Sequence, residues 1–180
     1  MTTATSDMRA AYLIDVMRQL RMFKGYVDTA LPRVPDEHLH TQLDANANSI
    51  AVIVKHVAGN LRSRYRDFLT TDGEKPDRDR DREFETAGQE SRAEILTWWE
   101  EGWSTAIGSI EALTPDDLER TVHIRGEAFL VIEALNRSLS HAASHVGQIV
   151  YLARHFAGDD WTSLTIPTGA SANVKGAFKK

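Results

Sequence analysis

The chain has 180 residues, 42% of them hydrophobic and 26% charged, the proportions of an ordinary soluble domain, which excludes a disordered, collagen-like or disulfide-scaffold protein. Its 21 Lys and Arg against 26 Asp and Glu leave a net charge of −5, the wrong sign for affinity gained by neutralising phosphates, so nucleic acid is not an expected partner. With no cysteine there is no disulfide, thiolate ligand or cysteine nucleophile, and any metal must be held by His, Asp or Glu.

The opening residues Met1 to Asp7 lack the basic stretch and apolar core of a signal peptide, and no run approaches the roughly 18 apolar residues of a membrane span. The expectation is a cytoplasmic protein with no membrane partner. A first helix is predicted after Ser6 or Asp7 as cap, with Leu13, Met17, Leu20, Phe23, Val27 and Leu31 recurring at three- and four-residue steps until Pro32 and Pro35. A polar stretch with His38 and His40 leads to a second helix whose core is Ile50, Ile53, Val57, Leu61, Tyr65 and Phe68, with its end expected near Gly73 and Pro76. From Thr70 to Gln89 the chain turns polar, and the alternating run Asp77 to Glu83 reads as a solvated loop.

Leu96, Trp99, Trp103, Ile107, Ile110 and Leu113 trace a third helix, closed by Thr114 and Pro115. Trp98, Trp99 and Trp103 fit a helix core with one of them facing out. Val122 to Ile124 is read as an extended connector, and the longest apolar helix is placed from Glu127 to Phe156, closed by Gly158. Four long helices with one extended connection predict an all-α protein, a four-helix bundle over residues 1–158. Residues 159–180 form a tail in which Trp161, Leu164, Ile166 and Phe178 call for packing on the bundle or on a second subunit.

The sharpest local feature is His141-Ala-Ala-Ser-His145. Four helical residues advance about 6 Å and 400°, leaving two imidazoles on one face, one turn apart. His56, in the apolar run Ile50 to Val57, is the best third donor, because bundles build metal sites from inward positions on facing helices. The competing reading makes all three hydrogen-bonded core or boundary histidines. Ala142 follows His141, so the general-base glutamate of the His-Glu-x-x-His metalloproteases is missing. No Glu-x-x-His pair of a di-iron bundle stands at the ligand-bearing stretches, and no phosphate-binding glycine loop or nucleophile elbow is present, which favours a single metal ion.

The segment His141-Ala-Ala-Ser-His145-Val-Gly147-Gln148-Ile149, with the helix-borne His56 upstream, resembles the DinB/YfiT-like superfamily. Ile53-Val-Lys-His56-Val-Ala-Gly-Asn60, Phe68-Leu-Thr-Thr-Asp-Gly-Glu-Lys-Pro76 and Leu164-Thr-Ile-Pro167 look like an uncharacterised branch of it, and the resemblance covers essentially the whole chain. It implies an up-down-down-up four-helix bundle, usually dimeric, with one divalent metal held by His56, His141 and His145. Relatives of that superfamily include thiol S-transferases that use bacillithiol or mycothiol and a mycothiol-dependent maleylpyruvate isomerase. The implied function is a metal-dependent enzyme acting on small molecules with a low-molecular-weight thiol as cosubstrate. A hydrolase of the same fold and a non-catalytic metal- or ligand-binding bundle are the alternatives.

Three neutral imidazoles leave a coordination position open, as in a catalytic zinc site; zinc is the default ion, and imidazole also suits nickel or iron. Asn60 and Gln148 are candidates to hydrogen-bond the ligands or the substrate, or else lie as amides on the helix surface. Gly147 suggests a close helix approach beside the site, with ordinary packing as the alternative. Arg62, Arg64 and Tyr65 could reach a substrate carboxylate, with surface salt bridging the favoured reading for the arginines. His38, His40, His123 and His155 are expected to be solvent-exposed, with His123 alone a candidate to approach the mouth of the bundle.

Overall fold

The computed structural model describes residues 3–85, 88 and 90–173. Four α-helices dominate the described residues: α1 (Thr3–Ala30), α2 (Ile50–Tyr65), α3 (Arg92–Glu111) and α4 (Val131–Ala157). α2 packs chiefly on α3 and α1 chiefly on α4, while α2 also meets α4 and α1 also meets α3, so the helices share one core. None of the described helices is long and apolar enough to cross a membrane.

The helix boundaries follow from local chemistry, with two departures from expectation. α1 is already helical at Thr3, upstream of Ser6 and Asp7, and gives way to a 3-10 turn at Leu31–Arg33 where Pro32 enters. The Ser49 hydroxyl caps α2 by accepting from the Val52 amide, and Ser91 forms a capping box with Glu94 at the start of α3. α2 stops at Tyr65 rather than near Gly73, because Arg66 turns extended and Asp67 takes a φ of 51°, which breaks the helical ladder. The chain folds back there, so Phe68 is still buried in the core as its hydrophobicity requires.

All the expected core positions of α2 are buried, as are Trp99, Trp103 and Ile110 of α3 and Met17, Leu20, Val27 and Leu31 near and within α1. Leu13, Phe23, Leu96, Ile107 and Leu113 pack at its margin. Trp99 spans the core to donate its indole N–H to Asp28 Oδ1 at 2.8 Å, while Trp98 is the half-exposed member of the group, beneath Lys55.

A correction to the all-α reading lies ahead of α4. β1 (Thr121–Ile124) and β2 (Glu127–Leu130) pair antiparallel, with Val122 opposite Phe129 and Ile124 opposite Glu127. The connecting Arg125 and Gly126 have φ of 56° and 78°, the positive values a two-residue hairpin turn demands. The Asp72 carboxylate accepts from both of their amides, and the Gly73 amide donates to the His123 carbonyl at 2.8 Å, so the loop after α2 is tied to the hairpin. The segment Glu127 to Leu130 is therefore strand, and α4 begins at Val131 and ends where Gly158 adopts a φ of 53°. In the tail, Trp161 and Leu164 pack against this chain's own core, Arg33 lies over the Trp161 ring, and Ile166 is half-buried; Phe178 lies outside the described residues.

The glycine that carries a close helix approach is Gly102 rather than Gly147. A Cβ on Gly102 would stand 2.7 Å from Ala58 Cα and 2.9 Å from its carbonyl oxygen, whereas one on Gly147 would meet nothing within 4 Å. Replacing Gly102 with Ala is expected to destabilise the protein by about 1–3 kcal/mol, since backbone rather than a side-chain tip must yield. Gly147→Ala, at an exposed helix interior, is expected to stabilise by about 0.5–1 kcal/mol. Paired urea unfolding curves of the two variants measure both effects.

Candidate metal centre

The three histidines expected as ligands converge. His56 leaves α2 between the buried Ile53 and Val57 and is 5% exposed, while His141 and His145 stand one turn apart on α4, half-buried. One ring nitrogen from each lies within 4.8 Å of the others, and His56 Nε2 is 3.2 Å from His141 Nε2. Two imidazole nitrogens on one tetrahedral zinc, each about 2.0–2.1 Å from it, are separated by about 3.3 Å, so this spacing fits a shared divalent ion.

The outer nitrogens of His56 and His145 are held by groups that fix which side of those two rings turns inward. His56 Nδ1 lies 2.8 Å from Glu83 Oε2. Glu83 in turn accepts two bonds from Arg78, Nε to Oε1 at 2.7 Å and Nη2 to Oε2 at 2.8 Å, while Arg78 Nη1 donates to Glu74 at 3.1 Å. Both Arg78 and Glu83 side chains are more than nine-tenths buried. Burial alone would raise the Glu83 pKa, but the hydrogen bonds from Arg78 and His56 outweigh it and hold the carboxyl below its ordinary value. The ionised carboxylate accepts from Nδ1–H of His56, which leaves Nε2 with its lone pair facing His141 and His145. Phe84 packs its ring 4.7 Å from the His56 ring on the remaining side.

Room for that carboxylate comes from Gly59. A Cβ there would lie 2.1 Å from Glu83 Oε1, so the missing side chain is what admits Glu83 to the flank of α2. On α4, His145 Nδ1 lies 2.9 Å from Gln148 Oε1, which orients the second ring in the same sense. His141 is pushed down to about 3 by burial and then by His145 and His56; His145 is pushed down by burial, against the opposing bond to Gln148. Both rings are therefore neutral near pH 7, the form that binds metal.

Asn60 shares the wall of this cleft with the histidines but makes no hydrogen bond among the described residues. Arg62 fits the surface reading, exposed and 3.7 Å from Glu101. Arg64 does not: it is buried and makes no ion pair among the described residues. Tyr65 is buried in the core, and burial pushes its phenol up to about 12. His123 and His155 are exposed as expected, with His123 on the hairpin away from the cleft wall. His38, stacked on Phe156 at 4.7 Å, and His40, bonded to the Glu90 carbonyl, are half-buried instead.

The groups that sequence reasoning missed are Glu83 and Arg78, both inside the run read as a solvated loop. Their only signal was Phe84, an aromatic residue closing an otherwise charged stretch.

Among protein families, one described as protein of unknown function (DUF1572) matches residues 7–170. No curated protein matches the chain.

Glu83→Gln is expected to destabilise the fold by about 3–5 kcal/mol, because it leaves the buried Arg78 charge without its bidentate partner. Acid should act in the same direction. Unfolded, His141 titrates near its ordinary 6.5, while in the fold it stays neutral down to about 3, so the unfolded state binds the extra proton between those values. Stability of the metal-free protein is thus expected to fall as pH drops below about 6.5, by at most about 1.4 kcal/mol per pH unit from this group. Urea midpoints between pH 7.5 and 5, compared with those of His141→Gln, measure the effect; the variant should show the shallower dependence.

Proposed function

The chain belongs to the DUF1572 family, and within it we propose a divalent-metal-dependent enzyme that acts on small molecules, with His56, His141 and His145 as the protein ligands and thiol S-transfer as its reaction. The observation that carries this reading is the convergence of three imidazoles whose outer nitrogens at His56 and His145 are already occupied, by Glu83 and Gln148. A purely structural cluster has no need to turn the lone pairs of His56 and His145 toward one point. The helix pairing, α1 with α4 and α2 with α3, is in keeping with the up-down-down-up bundle of the DinB/YfiT-like superfamily, and we assign the chain to an uncharacterised branch of it.

Zinc is the ion we favour, with nickel or iron as the other imidazole-compatible choices. Bound by three histidines, a divalent ion supplies Lewis acidity at its open position, enough to hold a low-molecular-weight thiol as thiolate or to lower the pKa of water. The chain's own contribution is orientation. Glu83 keeps the His56 proton on Nδ1, Gln148 does the same for His145, and Arg78 keeps Glu83 ionised. Asn60, unbonded on the same wall, is placed to receive a polar group of the substrate. A hydrolase would use the same donor set with water in place of the thiol. In the metal-free state the 3.2 Å contact between His56 and His141 is a hydrogen bond donated by His141, which favours a metal-free cluster as the competing, non-catalytic reading. A homodimer is part of the proposal.

Elemental mass spectrometry on untagged protein, purified without added metal, is expected to find a stoichiometric divalent ion that is lost in folded His56→Ala, His141→Ala and His145→Ala. Gln148→Ala should retain the ion with about 10–100-fold weaker affinity. Metal-dependent transfer of a thiol to a fluorescent electrophile should vanish with the ligands. A folded wild type that takes up neither zinc nor nickel would sink the metal reading, and turnover persisting in a metal-free variant would sink the mechanism. A sedimentation mass of one chain would reject the dimer.

A further inference from the structure

The wall of the histidine cleft carries positive charge that the chain leaves unmatched. Arg64, Arg78, Arg80, Arg125 and Arg137 line a cavity of about 530 Å³ together with the three histidines, and the carboxylate among its lining residues is that of Glu74. Glu74 is already engaged, accepting from Arg78 Nη1 at 3.1 Å and from Arg125 Nη2 at 3.4 Å. Arg78 gives its remaining donors to Glu83, and Arg80 sits 3.6 Å from Asp81, which is not part of the wall.

Arg64 has no such outlet. It leaves the last turn of α2, is 8% exposed, and makes no hydrogen bond or ion pair among the described residues; its Nη1 is sealed from solvent without an acceptor. The absence of a side chain at Gly73 leaves room for its stem, since a Cβ at that position would lie 2.9 Å from Arg64 Cδ. A guanidinium does not escape burial by losing its proton, so an uncompensated one is costly until an anion completes its hydrogen bonds. Arg137, on the same wall, likewise forms no ion pair among the described residues, its guanidinium lying 6.0 Å from the centre of the Phe129 ring. Burial weighs most against the Arg64 charge, and Arg137 and Arg78 act in the same direction, against an opposing influence of Tyr65 and Glu74.

We propose that Arg64, with Arg137 beside it, binds the oxyanion head group, carboxylate or phosphate, of a small-molecule ligand whose other end faces the three histidines. This names the substrate class of the site proposed above and rests on that reading for the histidine-facing end alone. The planar fork of a guanidinium matches two oxygens of either head group, and the cavity has the volume of a small-molecule site rather than of a polymer groove.

The test titrates metal-free protein with succinate and, separately, with inorganic phosphate at constant ionic strength, following thermal unfolding. The head group that fits should raise Tm by about 3–6 °C at ten times its Kd, and the arm that responds tells carboxylate from phosphate. Arg64→Met is expected to abolish the rise, while its own Tm in anion-free buffer equals or exceeds that of the wild type because an unpaired interior charge has gone. A role in holding the fold together predicts the opposite, a lower Tm. Arg137→Gln, at an exposed position, is expected to weaken the response several-fold and serves as the deciding variant should Arg64→Met fail to fold. The inference is overturned if neither anion raises the wild-type Tm, if Arg64→Met responds as the wild type does, or if Arg137→Gln leaves the response unchanged. Since the titration needs no metal, anion binding without metal uptake overturns the metal reading alone, and metal uptake without anion binding overturns this inference alone.

Discussion

The line of contacts from Arg78 through Glu83 to His56 is the interaction on which the site depends. It brings a loop carboxylate into the flank of α2 and there makes three demands at once. The carboxylate must be ionised, which the bidentate guanidinium secures; it must accept from Nδ1, which fixes the tautomer of the ring; and it must lie close to the helix, which requires Gly59. Removing water from two opposite charges is expensive, and such a pair contributes less to stability than its short distances suggest. Its value lies in orientation: with the loop in place, His56 offers its lone pair toward α4, where the helical spacing of His141 and His145 already sets two more imidazoles. Fold and chemistry meet in a single carboxylate.

How much of this was legible in the sequence depends on the range over which each feature is determined. His141 and His145 were readable because their spacing is a property of one helix, and His56 because it interrupts an apolar run on another. Gln148 was reachable by the same local logic, one turn from His145. Glu83 was not, since its partner lies 27 positions away and the alternating acids and bases around it have the pattern of a solvated face. Burial of Arg78 and Glu83 is decided by what the loop lands on. The hairpin escaped for a related reason: four-residue strands carry too little alternation to register, and the Arg125–Gly126 turn lacks the Asn or Asp that marks the strongest hairpin turns. Among the glycines, sequence drew attention to Gly147, which faces open space, and not to Gly102, where two helix backbones nearly touch. A glycine announces permission for close approach but does not say whether anything comes.

The charge of the chain gives a parallel lesson. A net −5 sets the expectation against a phosphate-neutralising surface, yet the cleft beside the histidines is strongly basic. The acids that dominate the total are spread over the surface, many of them paired with exposed arginines such as Arg21 and Arg66, and exert little influence in the cleft through intervening water. The hairpin supplies part of this local field, because Asp72 anchors the turn that carries Arg125 to the cleft wall. An element that looks incidental in an otherwise helical protein thus shapes what the cleft can receive.

Gly59 has a bearing on how related chains are to be sorted. The three histidines and the clamp behind His56 are separable in sequence, since the first need inward positions on two facing helices and the second needs a position without a side chain three residues after His56. A chain that keeps the histidines but carries any larger residue at the position of Gly59 has no room for a carboxylate where Glu83 stands. Its His56 equivalent would be free to change tautomer and rotate. A histidine signature taken alone therefore groups together sites of unequal preorganisation, and the glycine is the residue that divides them.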